Sequence, residues 1–298
     1  MPSMAAPDSK PIKFTHQYSS ESELNTVDIC LPRSPSRDNG KRYWVVFIHG
    51  GAWLDPDTDS SSFAVTQDHL LAGRHRDLIE GYASINYRLS PFPSHPTNPS
   101  HPADPARNAK HPDHITDVLR AVLYLQETYH FGDRYILAGH SAGATLSFQL
   151  AMKRYWGQQY EPTYALELNV VPPIAIAGLA GIYDLHALVR NHADKPEYHD
   201  FIAGAFGPPA EWDKASPSHG AYASSWKEGQ LAVIAHSAGD TLLEEEQAQI
   251  QLDTLRKSGW SEGRALHDLE LHGDHDEMWK GSEAARAIDF TIQQLVSR

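Results

Sequence analysis

The chain has 298 residues, 41% of them apolar, and a formal net charge of −13 with no run of Lys or Arg. That length allows one large domain or two small ones with a sizeable core, and the acidic balance argues against nucleic acid as a partner. The one cysteine, Cys30, excludes an intramolecular disulfide and fits a reducing compartment. The start "MPSMAAPDSK" has no apolar leader, and no run of 18 apolar residues occurs, so the reading is of a cytoplasmic protein without a membrane span.

Residues 1–12 are polar and proline-bearing and read as a loose tail. Short apolar runs then alternate with helical patterns. "YWVVFIHGG" (Tyr43 to Gly51) is nearly continuous in apolar residues and ends in glycines, as a strand buried on both faces does. "YASINY", "RYILAGH", "PIAIAGLAG", "LAVIAHS" and "ALHDLELHG" are further candidate strands. Between them, Ile115, Val118, Leu119, Val122 and Tyr129 share one helical face. "AGATLSFQLAMKRYW" follows a strand directly, and "EEEQAQIQLDTLRKSG" carries acids first, bases last and a glycine stop. Ala284, Ala287, Ile288 and Leu295 mark a last helix. Strand and helix in alternation predict an α/β fold, with a mostly parallel sheet covered on both faces. Residues 91–112, rich in proline and histidine, read as a long loop, and 184–229 as a small cap inserted into a single domain of residues 1–298.

Two stretches compete for a reactive serine, "GHSAG" at Gly139 to Gly143 and "AHSAG" at Ala235 to Gly239. Gly-x-Ser-x-Gly supports chemistry where it joins a strand to a helix, because the serine then sits on a tight turn above the sheet. The first stretch has that setting, which makes Ser141 the candidate nucleophile. The second lacks the first glycine, and Ser237 is read as a bystander. Its strand nevertheless leads to Asp240, where a hydrolase of this order keeps the acid that orients the base. The base follows the last strand, where "LELHGDHDEMW" offers His272 and His275. His275, beyond the glycine, reaches over a serine more easily. "HGDHD" offers no third convergent ligand, so no metal is expected, and His95, His101, His111 and His114 read as solvated loop residues or local hydrogen-bond partners. "HGGAW" (His49, Gly50, Gly51, Ala52, Trp53) closes the first buried strand as an oxyanion loop does. The amides of Gly51, Ala52 and Ala142 are its candidate donors.

With "NYRLSP", "HPDHITDV", "AGIYDL" and "HDEMW", these motifs span residues 48–279 and together resemble the fungal-type kynurenine formamidases, of α/β-hydrolase fold. The resemblance implies hydrolysis of N-formyl-L-kynurenine to L-kynurenine and formate, in tryptophan degradation toward NAD. It also implies a triad at Ser141, Asp240 and His275 and no cofactor. Trp53, Tyr183 and Phe206 are candidate pocket walls, and Arg88 is read as a structural anchor of its turn. A small-molecule substrate is the expected partner, with neither nucleic acid nor membrane, and a homodimer stays open. Two alternatives share the fold: a short-acyl carboxylesterase, and a binding protein without catalysis.

Overall fold

The computed structural model describes residues 10–32, 42–152, 169–260 and 265–298. Among these, eight strands form one sheet: β1 (Ile12–Gln17), β2 (Thr26–Leu31), β3 (Tyr43–Ile48), β4 (Ile79–Ile85), β5 (Tyr135–His140), β6 (Ala175–Leu179), β7 (Leu231–Ser237) and β8 (Ala265–Leu271). Their order is β1-β2-β4-β3-β5-β6-β7-β8. β1 and β2 run antiparallel to their neighbours, and β3 to β8 pair in parallel. The expected mostly parallel sheet is present, with the β1–β2 hairpin added at one edge. β1 begins at Ile12, inside the expected tail, while residues 1–9 lie outside the described residues.

The central strands β3, β5, β6 and β7 are almost wholly buried. Both faces of the sheet are covered, so their residues have no polar face to alternate with. One side is packed by α2 (Asp113–Tyr129) and α3 (Ala142–Ala151), in a core containing Ile115, Val118, Leu119 and Val122 as the 3.6-residue spacing requires. The other side is packed by α1 (Ala64–Ala72) and α7 (Glu283–Val296), with Ala284, Ala287, Ile288 and Leu295 turned inward. The segment between β6 and β7, where the sequence predicts a cap, contains α4 (Leu185–Asn191) and α5 (Pro196–Phe206), followed by short turns. α6 (Glu245–Lys257) follows β7 with Glu245 and Glu246 in its first turn and Arg256 and Lys257 in its last, the sign order that the helix dipole favours.

Residues 91–112 contain one regular piece, a 3-10 turn at Pro105–Arg107. The stretch is anchored by Leu89 and Ala106, which share a backbone hydrogen bond, as do Ala109 and Leu89. The histidines of this stretch, with His114 at the start of α2, correct the expectation of solvated loop residues. His95 and His114 are buried, His111 is half-buried, and of these four only His101 is exposed. His95 does act as a local partner, its Nδ1 accepting the Asn98 amide at 2.9 Å. Among the described residues no helix is long and apolar enough to cross a membrane.

Candidate active site

Because β3, β5, β7 and β8 are parallel, the segments after them emerge at one edge of the sheet, where α/β proteins place their sites. The segments are "HGGAW", "SAGA", "AGD" and "HGDHD".

Ser141 stands between β5 and α3 with φ 54° and ψ −121°. A non-glycine residue there is strained by about 1–3 kcal/mol, and the neighbouring packing holds it. Its amide donates to the Leu179 carbonyl at 2.9 Å, and its carbonyl accepts the Ala144 amide at 3.0 Å. The flanking glycines are required by contact: a Cβ on Gly139 would stand 2.2 Å from the Gly143 carbonyl oxygen, and one on Gly143 would stand 2.1 Å from that of Ile48. Both obstacles are backbone and cannot rotate away. Ser141 itself is only 6% exposed.

The loop after β3 lies against this turn. A Cβ on Gly50 would meet Ser141 Cβ at 3.0 Å and His140 Nδ1 at 3.1 Å. Gly51, Ala52 and Trp53 follow with φ of 87°, 48° and 62°, three consecutive left-handed residues. Tyr87 fixes the loop from beneath: its hydroxyl donates to the carbonyls of Gly50 at 2.9 Å and His49 at 3.1 Å, and its ring stacks on His49 at 4.4 Å. Burial pushes the His49 imidazole down to about 4, so the ring is neutral, and its Nδ1–H donates to the Gly50 carbonyl at 3.0 Å. Among the described residues the amides of Gly51, Ala52 and Ala142 have no hydrogen-bond acceptor. They are thus free to serve as donors.

Asp240 and His275 stand side by side. His275 Nδ1 lies 2.7 Å from Asp240 Oδ2. The other carboxylate oxygen, Oδ1, accepts the amides of Leu242 and Leu243, each at 2.9 Å. Burial pushes the Asp240 carboxyl up, but the hydrogen bond and charge of His275 and those two amides outweigh it, so the group is held below the ordinary carboxylate range. An ionised Asp240 can only accept, which places the His275 proton on Nδ1 and leaves Nε2 as a base. His275 is 5% exposed. His272 is exposed, and its amide donates to Glu283 at 2.8 Å. Of the two histidines that the sequence offers, His275 is the one paired with Asp240.

Of the candidate pocket walls, Trp53 and Phe206 touch edge to face at 4.8 Å, joining the loop after β3 to the cap. Trp53 is wholly buried, and its indole N–H lacks a partner among the described residues. Tyr183 lies in the core, with its ring edge-on to Phe148. Arg88 binds the buried Asp117 through Nε and Nη2, both at 2.8 Å, and through its amide at 3.0 Å, anchoring the turn after β4 to α2.

Asp55, Asp57 and His95 bring ligand-type atoms within 4.8 Å of one another. Since His95 Nδ1 accepts the Asn98 amide, its neutral ring carries the proton on Nε2, which lies 3.7 Å from Asp55 and 3.6 Å from Asp57. A proton there suits a pair of carboxylates and opposes a cation.

A parallel sheet with a serine on a strand–helix turn and an Asp–His pair after later strands defines the α/β-hydrolase class. The family profile BD-FAE matches residues 27–255. Over its length the chain is 38% identical to the kynurenine formamidase-like hydrolase of Fusarium equiseti, across 92% of this chain and 91% of that one. It is also 38% identical to the kynurenine formamidase of Aspergillus versicolor, across 87% and 91%. A third relative, the kynurenine formamidase of Meyerozyma guilliermondii, is 28% identical across 89% and 90%. Among solved structures, a truncated carbohydrate esterase from gut microbiota superposes with TM-score 0.67 at 18% identity, covering 98% of this chain and 99% of that one. Esterase B of Lactobacillus rhamnosis, inhibitor-bound, superposes with TM-score 0.66 at 15% identity, covering 97% and 88%. The chain belongs to the BD-FAE family of α/β-hydrolases, in the branch of the kynurenine formamidases, and is a hydrolase.

Proposed function

We propose that the chain hydrolyses the formamide of N-formyl-L-kynurenine to L-kynurenine and formate, in tryptophan degradation toward NAD, through a formyl-enzyme on Ser141. The observation that carries this reading is the 38% identity, over about nine-tenths of the chain, with relatives named kynurenine formamidase and kynurenine formamidase-like hydrolase. The Asp240–His275 pair at 2.7 Å supports the mechanism.

In this mechanism His275 Nε2 takes the Ser141 hydroxyl proton as Oγ attacks the formyl carbon. Asp240 holds the tautomer and stabilises the imidazolium. The charge that develops on the formyl oxygen falls to the amides of Gly51, Ala52 and Ala142, which are fixed before the reaction begins. The C–N bond then breaks. His275 returns its proton to the departing aryl amine, which would otherwise leave as a poor anionic group. Water adds to the formyl-enzyme by the same route and releases formate and free Ser141. Formyl has only hydrogen on its carbonyl carbon. The approach of Gly50 to Ser141 suits so small an acyl group. The buried thiol of Cys30 suits a cytoplasmic setting.

The test compares wild-type kcat/KM for N-formyl-L-kynurenine with that for an aryl acetate. A strong preference for the formamide is expected. Cleavage of the ester alone would reassign the chain as a short-acyl carboxylesterase.

A further inference from the structure

The near-identity of "GHSAG" and "AHSAG" has a structural counterpart. Each stretch sends one side chain to the loop that carries His275. From the first, His140 Nε2 lies 3.0 Å from the His275 carbonyl oxygen, and the two imidazole rings meet at a tilt of 48° with centroids 4.6 Å apart. A carbonyl only accepts, so His140 carries its proton on Nε2. From the second, the Ser237 hydroxyl donates to the Gly273 carbonyl at 2.6 Å, and its oxygen accepts the Gly239 amide at 3.1 Å. His140 is 3% exposed and Ser237 1%. The His140 bond is buried and the Ser237 bonds are part-buried, so water does not replace them readily. Close backbone approach completes the seat, since a Cβ on Gly239 would stand 3.0 Å from the Gly273 oxygen.

We propose that His140 and Ser237 are positioning residues: they clamp the loop at residues 273–275 from two sides and thereby hold the His275 ring between Asp240 and Ser141. The inference deepens the proposed hydrolysis and rests on that reading of His275. The loop needs such support. Gly273 adopts φ 90°, and His275 leaves β8 after an exposed stretch of His272 and Asp274. Both hydrogen bonds end on backbone carbonyls and so set where the ring pivots, and the His140 ring also packs against that of His275. His140 suits this task because it stays neutral. Burial pushes its imidazole down to about 3, aided by the nearby His275, so it adds no charge beside a base that must itself become cationic. The ionisable groups around His275 are then Asp240, His140, His236, Asp274 and Asp276.

The test uses two pairs of variants. Ser237→Ala and His140→Leu remove a donor. Ser237→Thr and His140→Gln keep one. Two readouts are taken: the rate at which a fluorophosphonate labels Ser141, and the downfield proton resonance of the His275 Nδ1–H. The donor-less variants are expected to label about 10- to 100-fold more slowly, the scale of a small misplacement of a catalytic group. Their Nδ1–H resonance should move upfield or broaden. In turnover the loss should fall on kcat with KM little changed. The donor-keeping variants should recover most of the rate. If His140→Leu does not fold, Ser237→Ala, which removes one oxygen, carries the test. Folded Ser237→Ala with wild-type labelling and an unmoved resonance would overturn the clamp. Wild type that does not label at Ser141 would overturn the proposed hydrolysis instead, and the His275 resonance would still decide the clamp.

Discussion

Replacing Asp240 by Asn should disable the base while leaving the fold in place. The carboxylate has two separate tasks. Oδ1 accepts the amides of Leu242 and Leu243, both at 2.9 Å, and Oδ2 accepts the His275 Nδ1–H at 2.7 Å. An asparagine must keep its oxygen on the two amides, because turning its NH2 toward them would set donor against donor twice. Its NH2 then faces His275 Nδ1, and the ring can bond only by moving its proton to Nε2. That tautomer cannot take the Ser141 proton. The same exchange of an orienting aspartate in a serine protease lowers kcat by about 10⁴, equivalent to about 5.5 kcal/mol of barrier, and a similar loss is expected here. Rates of N-formyl-L-kynurenine hydrolysis followed by absorbance would measure it, with circular dichroism to confirm the fold. A folded Asp240→Asn enzyme within tenfold of wild type would refute the assigned role and return His275 to an open choice.

Two other outcomes follow from buried charge. His49, His114 and His140 are buried, and burial lowers their imidazoles to about 4, about 3 and about 3. Below an unfolded-state value near 6.5 the unfolded chain takes up protons that these folded rings refuse. Stability should therefore fall as pH drops from about 6.5 toward 4, at about 1.4 kcal/mol per histidine and unit, or about 4 kcal/mol for the three together. Urea titrations at pH 6 and pH 5 would show it, and equal midpoints would contradict the neutral buried rings. Arg88→Ala leaves the Asp117 carboxylate, with 0% side-chain exposure, without its bidentate partner. The expected loss is about 3–5 kcal/mol, read as a lower denaturation midpoint, and an unchanged midpoint would show that Arg88 is not the anchor of its turn.

Much of this architecture was legible in the residues. The buried strands β3, β5, β6 and β7 announce themselves as apolar runs, and Ser141, Asp240 and His275 each follow a strand in the order that a hydrolase needs. The β1–β2 hairpin was not legible. β1 reads "IKFTHQ", with four polar residues and no wholly buried position, so it resembles the polar tail before it. The buried histidines were hidden for the opposite reason. His95 and His111 sit among prolines that look solvated, but backbone anchors to Leu89 and the contact of His111 with Phe206 draw them inward. The service that Ser237 performs could not be read at all. Its partner Gly273 lies 36 residues on, and only the parallel register that pairs Ser237 with Leu271 brings them together.

The most direct test of the chemistry is Ser141→Ala, measured on N-formyl-L-kynurenine and an aryl acetate with the variant shown to be folded. Loss of both activities, down to the small residue left by the oxyanion donors and substrate binding, is the expected result. Full activity in the folded variant would contradict Ser141 as the nucleophile and reopen Ser237.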